Sequence, residues 1–266
     1  MGKAGKISIA LLSFISLLCF TAPLICPHNP DTINLDSIKE PPSLHHLLGT
    51  DNKGRDILSR VLHGGRISIG VAFVAALLSM GIGLIVGLVS GYAGGKIDIA
   101  FMAFIDLILS FPAFLLAIGI SVVLPPGIFT VMVAIAAVGW ASFARLIRGY
   151  ILTVKEAAFV ESAKAVGCSR MRILFVHLMP QCVPLIFVMM GIKLGGYILT
   201  EASLSFLGLG AQPPTATWGA MVSANRAYIS SAPWMVFFPG LMIAITSLCF
   251  NMMGDALRDR YALKIE

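Results

Sequence analysis

Six stretches of the chain are almost continuously apolar, at roughly 7–25, 67–91, 99–123, 128–145, 182–208 and 234–254. A helix needs about 20 such residues to cross a bilayer, so each stretch predicts one membrane-spanning helix. Polar or turn-forming segments separate them: 26–66, 92–98, Pro125-Pro126-Gly127, 146–181 and 209–233. The pattern divides the chain into an N-terminal span with a long following segment (1–66) and a five-span core (67–266).

Composition agrees. Of 266 residues 58% are hydrophobic and 12% charged, with a mean hydropathy of +0.91. Soluble domains run near about 45–50% apolar and about 25% charged. A soluble enzyme, a disordered tail and a secreted disulfide scaffold are all excluded, leaving an all-α polytopic membrane protein in contact with lipid. The net charge, 19 − 13 = +6, reads as the bias of Lys and Arg toward cytoplasmic loops and not as a nucleic-acid surface. If the N-terminus is cytoplasmic, Lys3, Lys6, Lys96, Arg145, Arg148, Lys155, Lys164, Arg170, Arg172, Arg258, Arg260 and Lys264 lie inside. Lys39, Lys53, Arg55, Arg60, Arg66 and Arg226 then lie outside. This asymmetry places both termini in the cytoplasm. The 7–25 run is longer than the about 7–15 residues of a signal-peptide core, so a retained helix is expected. In the second span Gly83, Gly87 and Gly91 recur every four residues and form one small-residue face for a close helix neighbour.

The longest inside loop, 146–181, is also the most patterned. Lys155–Val166 predicts a helix, Gly167 a turn, Ser169 an N-cap, Met171–Leu178 a second helix, and Pro180 its end. Val160, Ala163, Val166, Met171, Leu174 and Phe175 are apolar yet are not needed to span anything. Such a pair of amphipathic helices wants a partner groove, or else the headgroup plane.

At this loop the chain resembles the permease subunits of ABC importers, in particular the C-type permease of the dipeptide, oligopeptide and nickel branch. That family's loop reads Glu-Ala-Ala, three residues, Gly, nine residues, Ile-x-Leu-Pro. Here Glu161-Ser162-Ala163 stands at the right distance from Gly167, and His177-Leu178-Met179-Pro180 follows. Glu156-Ala157-Ala158 lies too far from Gly167 to be that motif. Leu48-Gly49-Thr50-Asp51, Gly54-Arg55-Asp56 and Ser59-Arg60 resemble the family's segment before the second span; Asp106 to Pro112 its third span; Ser205 to Trp218-Gly219 its last outer loop; and Asn251 to Asp259 its C-terminus. Departures are Ser162, His177, Met179, and Ala103 where Arg often stands.

The resemblance implies a six-span type I importer permease of the bacterial inner membrane. It implies four companions: a homologous second permease, two ABC ATPase subunits and an external substrate-binding protein. ATP and Mg would sit on the ATPases, with no cofactor on this chain. The ATPase-coupling loop would be carried by Val160, Glu161, Ser162, Ala163, Lys164, Gly167, Cys168, Arg170, Met171, Leu174, His177 and Pro180. Peptides are the first substrate expected, nickel or a metal chelate the second. The rival from another class, a stand-alone secondary transporter or channel, predicts internal repeats, and none is clear.

The chain holds no Gly-x-x-x-x-Gly-Lys-Ser/Thr loop, Gly-x-Ser-x-Gly or His-Glu-x-x-His, so neither ATP hydrolysis nor intramembrane hydrolysis is expected of it. Asp106, Lys193 and Glu201 lie inside spans, where charge is costly and marks a pathway or a pair. Lys193, Tyr197, Thr200, Glu201 and Leu204 recur on one helical face and form a candidate pathway lining with Asp106; interhelical pairing is the alternative. In the outer segment Asp51 and Asp56 are expected to pair locally with Lys53, Arg55 or Arg60, and Gly54-Arg55-Asp56 to cap or brace a short outer helix. Cys26, His28, His45 and His46 share that side without metal-ligand spacing, and no metal site is expected.

Overall fold

The computed structural model of the protein describes residues 2–262, and Lys264 lies outside them. Among the described residues the chain is helical, and its sole β-pairing is an isolated bridge between Thr50 and Asp56. The spans are α1 (Lys3–Phe20), α3 (Ile57–Ala93), the bent pair α4 (Gly95–Ser110) and α5 (Ala113–Val123), α6 (Ile128–Val154), α9 (Val183–Phe206) and α11 (Trp234–Ala262). Short helices fill the connections: α2 (Ala22–Ile25), α7 (Ala158–Ala165), α8 (Arg170–Arg172) and α10 (Trp218–Asn225). Five helices are long and apolar enough to cross a membrane, and six when the bent pair counts as one span.

Several boundaries differ from the sequence expectation. Helix α3 begins at Ile57 and runs 37 residues, about 56 Å, against a hydrocarbon core of about 30 Å. Its first turns therefore lie outside the apolar run, in the segment expected to hold a separate short helix. Helix α6 likewise continues to Val154. The third apolar run is broken by 89° between α4 and α5. Pro112 explains the break, because its ring excludes the preceding residue from helical conformation. Phe111 accordingly adopts an extended ψ of 144°.

The glycine face of α3 packs on α6. A Cβ added at Gly87 would stand 2.7 Å from the Ala144 carbonyl oxygen, and one at Gly91 2.9 Å from Ile151 Cβ. The two backbones thus run closer than any larger side chain permits. Around this pair α9 and α11 pack on each other, α1 lies against α11 and α3, and a core of Ala72, Ala75, Ala76, Ala134, Ile135 and Ile198 joins α3, α6 and α9. At one end the links 26–56 and 209–233 form a cap. There Trp218 is fully buried on α3, donating its indole N–H to the Val61 carbonyl at 2.8 Å. The 155–182 segment lies at the other end, which is also where α1 starts and α11 finishes.

Gly87→Ile overpacks this contact. The expected cost is about 1–3 kcal/mol, read as a lower thermal midpoint in detergent. Gly81→Ala, whose added Cβ meets nothing within 4 Å, should leave the midpoint unchanged or raise it.

Candidate functional site

The 155–182 segment folds as a hairpin whose turn is fixed by glycine. Gly167 has φ +83°, a left-handed conformation that costs a side-chain-bearing residue about 1–2 kcal/mol. Its N–H bonds the Lys164 carbonyl and the Cys168 N–H bonds the Ala163 carbonyl, each at 3.0 Å. These two bonds close α7 in a Schellman arrangement. Ser169 then caps α8, its Oγ accepting from the Arg172 N–H at 3.3 Å.

Pro180 does not end the second helix as the sequence predicts. From α8 the chain passes through a π-helical turn (Ile173–Leu178) and a 3-10 turn (Met179–Cys182) directly into α9, so 170–206 forms one rod. Pro180 and Pro184 lack N–H groups, and regular α-helical bonding cannot continue across them. The prolines leave the carbonyls of Val176 and Pro180 without their α-helical donors; Pro180 O accepts from the Val183 N–H in the 3-10 turn, while in the π turn before it the Met179 N–H reaches Leu174 O. Below it, α7 is shorter than predicted and spans only Ala158–Ala165.

The hairpin's apolar residues divide between two faces. Val160, Ala163, Ile173, Leu174 and Leu178 are buried against Leu88 of α3 and Ile147 and Ile151 of α6. Val166, Met171 and Phe175 are exposed, Val166 at 84%. Glu161, Ser162, Lys164 and Arg170 are exposed beside them, while Cys168 and His177 are half-buried. Between the hairpin and the end of α3 lies a cleft of about 790 Å³, lined by Tyr92, Lys155, Glu156, Lys164, Arg170 and Met171. The sequence reading missed the clamp beside it. Arg148 of α6 donates from Nε and Nη2 to the two oxygens of Asp98 at 2.8 and 2.6 Å, and Lys155 Nζ donates to the Gly91 carbonyl at 3.3 Å. Fifty positions separate Asp98 from Arg148, and no local spacing signals such a pair.

The intramembrane polar residues fall into three groups. Lys193, Tyr197 and Thr200 of α9 line one cavity of about 130 Å³ with Phe114 of α5 and Ser142 of α6. Tyr197 also donates to Ser79 Oγ of α3 at 3.2 Å. Asp106 pairs with Arg145 at an exposed face of α4 and α6. Arg145 lines an adjoining cleft that shares Leu109 and Ser142 with the cavity. Glu201 does not join this lining: it is buried beside Ser68 of α3 and Thr217, accepting from Ser205 Oγ at 2.8 Å. Leu204 is buried in the core with it, so the predicted five-residue stripe is divided by the packing of α9 on α3 and α10.

In the cap, Asp51 organises its loop. Its Oδ1 accepts from the N–H groups of Lys53 and Arg55 at 2.8 and 3.0 Å, and its Oδ2 accepts from Arg55 Nε at 2.7 Å. Arg60 Nε stands 3.8 Å from Oδ2, and Arg60 also binds Asp31 at 3.0 Å. Gly54 has φ +70°, and an added Cβ would collide with the Asn34 carbonyl. Asp56 caps α3 itself, accepting at Oδ2 from Ser59 N–H at 2.8 Å and Ser59 Oγ at 2.7 Å. The cationic partner expected for Asp56 is absent among the described residues: its Oδ1 faces the imidazoles of His46 and His28 instead.

Spans joined by a hairpin that is continuous with one of them, around a small polar-lined cavity, make this a polytopic helical membrane protein. The profile of the family described as binding-protein-dependent transport system inner membrane component matches residues 83–263, and the chain belongs to that family. It is a permease subunit of an ATP-binding-cassette importer, a non-catalytic, multi-pass protein of the bacterial inner membrane. The chain is 38% identical over 259 residues to the oligopeptide transport system permease protein OppC of Haemophilus influenzae, covering 97% of this chain and 83% of that protein. It is 41% identical over 257 residues to the dipeptide transport system permease protein DppC of Alkalihalophilus pseudofirmus, covering 97% and 84%. A structure of the MetNI methionine ABC transporter in an inward-facing conformation shares the fold, with a TM-score of 0.61 at 19% identity over 76% of this chain and 97% of that one.

Asp51→Ala strands the buried Arg55 side chain. The expected loss is about 3–5 kcal/mol, measured by thermal unfolding. The exposed Asp36→Ala should stay within about 0.5 kcal/mol of the parent.

Proposed function

We propose that this chain forms half of the translocation pathway of a peptide importer, with a homologous permease as the other half. Peptide substrates are supported by its relatives, which are oligopeptide, dipeptide and glutathione transport system permeases. The hairpin 155–180 is the docking element for separate ATPase subunits, and both termini share its cytoplasmic side. An external binding protein delivers substrate to the cap, where the braced Asp51, Gly54, Arg55 and Asp56 loop forms part of the receiving surface.

One observation carries the coupling reading: the hairpin is mechanically joined to the cavity. Its buried face is wedged against α3 and α6, and its second arm is the start of the rod that becomes α9. A push on the exposed face, at Val166, Met171 and Glu161, therefore moves α9 together with Lys193, Tyr197 and Thr200. In alternating access, closure of the ATPase dimer supplies that push. Lys193 is the cationic group of the cavity and has no carboxylate paired with it among the described residues. It offers an attractive charge to the C-terminal carboxylate of a passing peptide.

The test is reconstitution with the second permease, the ATPases and the binding protein that co-purify, followed by uptake and ATPase assays with peptides and, separately, nickel. Gly167→Val has room for its side chain, since nothing lies within 4 Å of an added Cβ. It should insert normally and hydrolyse ATP without peptide-dependent stimulation, with uptake falling at least about tenfold, a coupling loss on the order of 1.4 kcal/mol. Normal uptake in this variant overturns the coupling assignment. Uptake of nickel but not of peptide overturns the substrate assignment and leaves the coupling intact.

A further inference from the structure

We infer that the cap holds a binding site for a first-row divalent transition metal of the Zn²⁺ class, formed by His28, His46 and Asp56. The three residues come from separate segments. His28 follows α2, His46 lies in the loop before the Asp51 turn, and Asp56 is the N-cap of α3. Folding brings one ligand atom of each within 4.8 Å of the other two. His46 Nδ1 stands 3.0 Å and His28 Nδ1 3.9 Å from the same oxygen, Asp56 Oδ1. Metal–ligand bonds of about 2.0–2.1 Å in a tetrahedral shell place ligand atoms about 3.3 Å apart, so both separations lie close to what a shared ion requires. The imidazole rings stand 4.8 Å apart and tilted by 35°, and each brings its Nδ1 to the same carboxylate oxygen.

The electrostatics favour a cation here. Asp56 is 3% exposed at its side chain, and its Oδ2 is committed to Ser59. Nearby, Arg55 is bound to Asp51, and Arg60 to Asp31 and Asp51. The carboxylate is thus left with two imidazoles and no fixed positive charge. Two imidazole nitrogens and one carboxylate oxygen suit Zn²⁺, Ni²⁺ or Cu²⁺ far better than Mg²⁺ or Ca²⁺, which take all-oxygen shells. On binding, His46 moves its proton from Nδ1, where it is donated to Asp56, to Nε2, so that each Nδ1 offers a lone pair to the metal. The His46–Asp56 hydrogen bond is exchanged for two metal bonds. His28 is 42% exposed, so an ion enters from solvent and the shell retains water. The filled site pins the segment after α2 and the His46 loop onto the first turn of α3.

Zn²⁺, and Co²⁺ as its optical probe, would be titrated into the full-length protein in detergent with its co-purifying subunits. The parent should bind one Co²⁺ with the visible bands of a nitrogen- and oxygen-ligated ion, release it to Zn²⁺ and not to Mg²⁺, and show a raised thermal midpoint. His28→Ala alters an exposed side chain, and His46→Gln keeps a donor for Asp56, so both should fold like the parent in chelator. Each should weaken binding at least about tenfold and lose the thermal shift. Equal binding by the parent and both variants would place the metal elsewhere, at His45, His63, His177 or a thiol, and overturn the assignment. So would the absence of binding to a folded parent.

Discussion

Helices in lipid gain little from hydrophobic burial against one another and are held by shape. In this protein the decisive fit is the contact of α3 with α6 along Gly83, Gly87 and Gly91. Because these two backbones nearly touch, the two helices are fixed together toward the hairpin end of the bundle. At one end the paired helices carry the platform of Leu88, Ile147 and Ile151 on which the hairpin rests. At the other, α3 projects far enough for Asp56 to cap it inside a loop network and for Trp218 to close over it. The hairpin, the cavity beside α6 and the cap are all referenced to this one pair.

Polar chemistry in the bundle follows from the same geometry. With α3 locked to α6, α9 must lie across both, and the side chains along it meet different neighbours within one helical turn. Lys193, Tyr197 and Thr200 meet the space beside α5, whereas Glu201 and Leu204 meet α3 and the cap. One amphipathic stripe thus serves a cavity at one level and the packed core at another.

Much of this is legible in the sequence. The six apolar runs, the glycine face, the helix–Gly167–helix loop and the capping role of Ser169 follow from period, length and turn chemistry, and the loop motif carries the family. What was hidden depended on contacts distant in sequence. Nothing near Gly87 names α6 as its partner, and nothing near Asp98 names Arg148. The charged sequence neighbours of Asp56 suggest an ion pair, yet its Oδ1 meets His46 and His28, brought in by the folding of the outer segment. Proline was the other source of error. Pro112 sits inside an uninterrupted apolar run and still turns the chain by 89°, while Pro180 reads as a stop yet lies in a 3-10 turn through which the rod continues into α9. At Pro112 the steric exclusion of Phe111 from helical conformation breaks the chain, whereas at Pro180 a change of helical pitch carries it through.

That π turn sets a phase relation. Each turn of the 173–178 segment holds more residues than the α-helix on either side. It thereby fixes the angle between the exposed face at Met171 and Phe175 and the face turned to the cavity. In a uniform α-helix one residue more or fewer changes that angle by about 100°. The segment is therefore the angular register of the rod: chain length between Ser169 and Lys193 determines which way the exposed face of the hairpin points relative to the cavity.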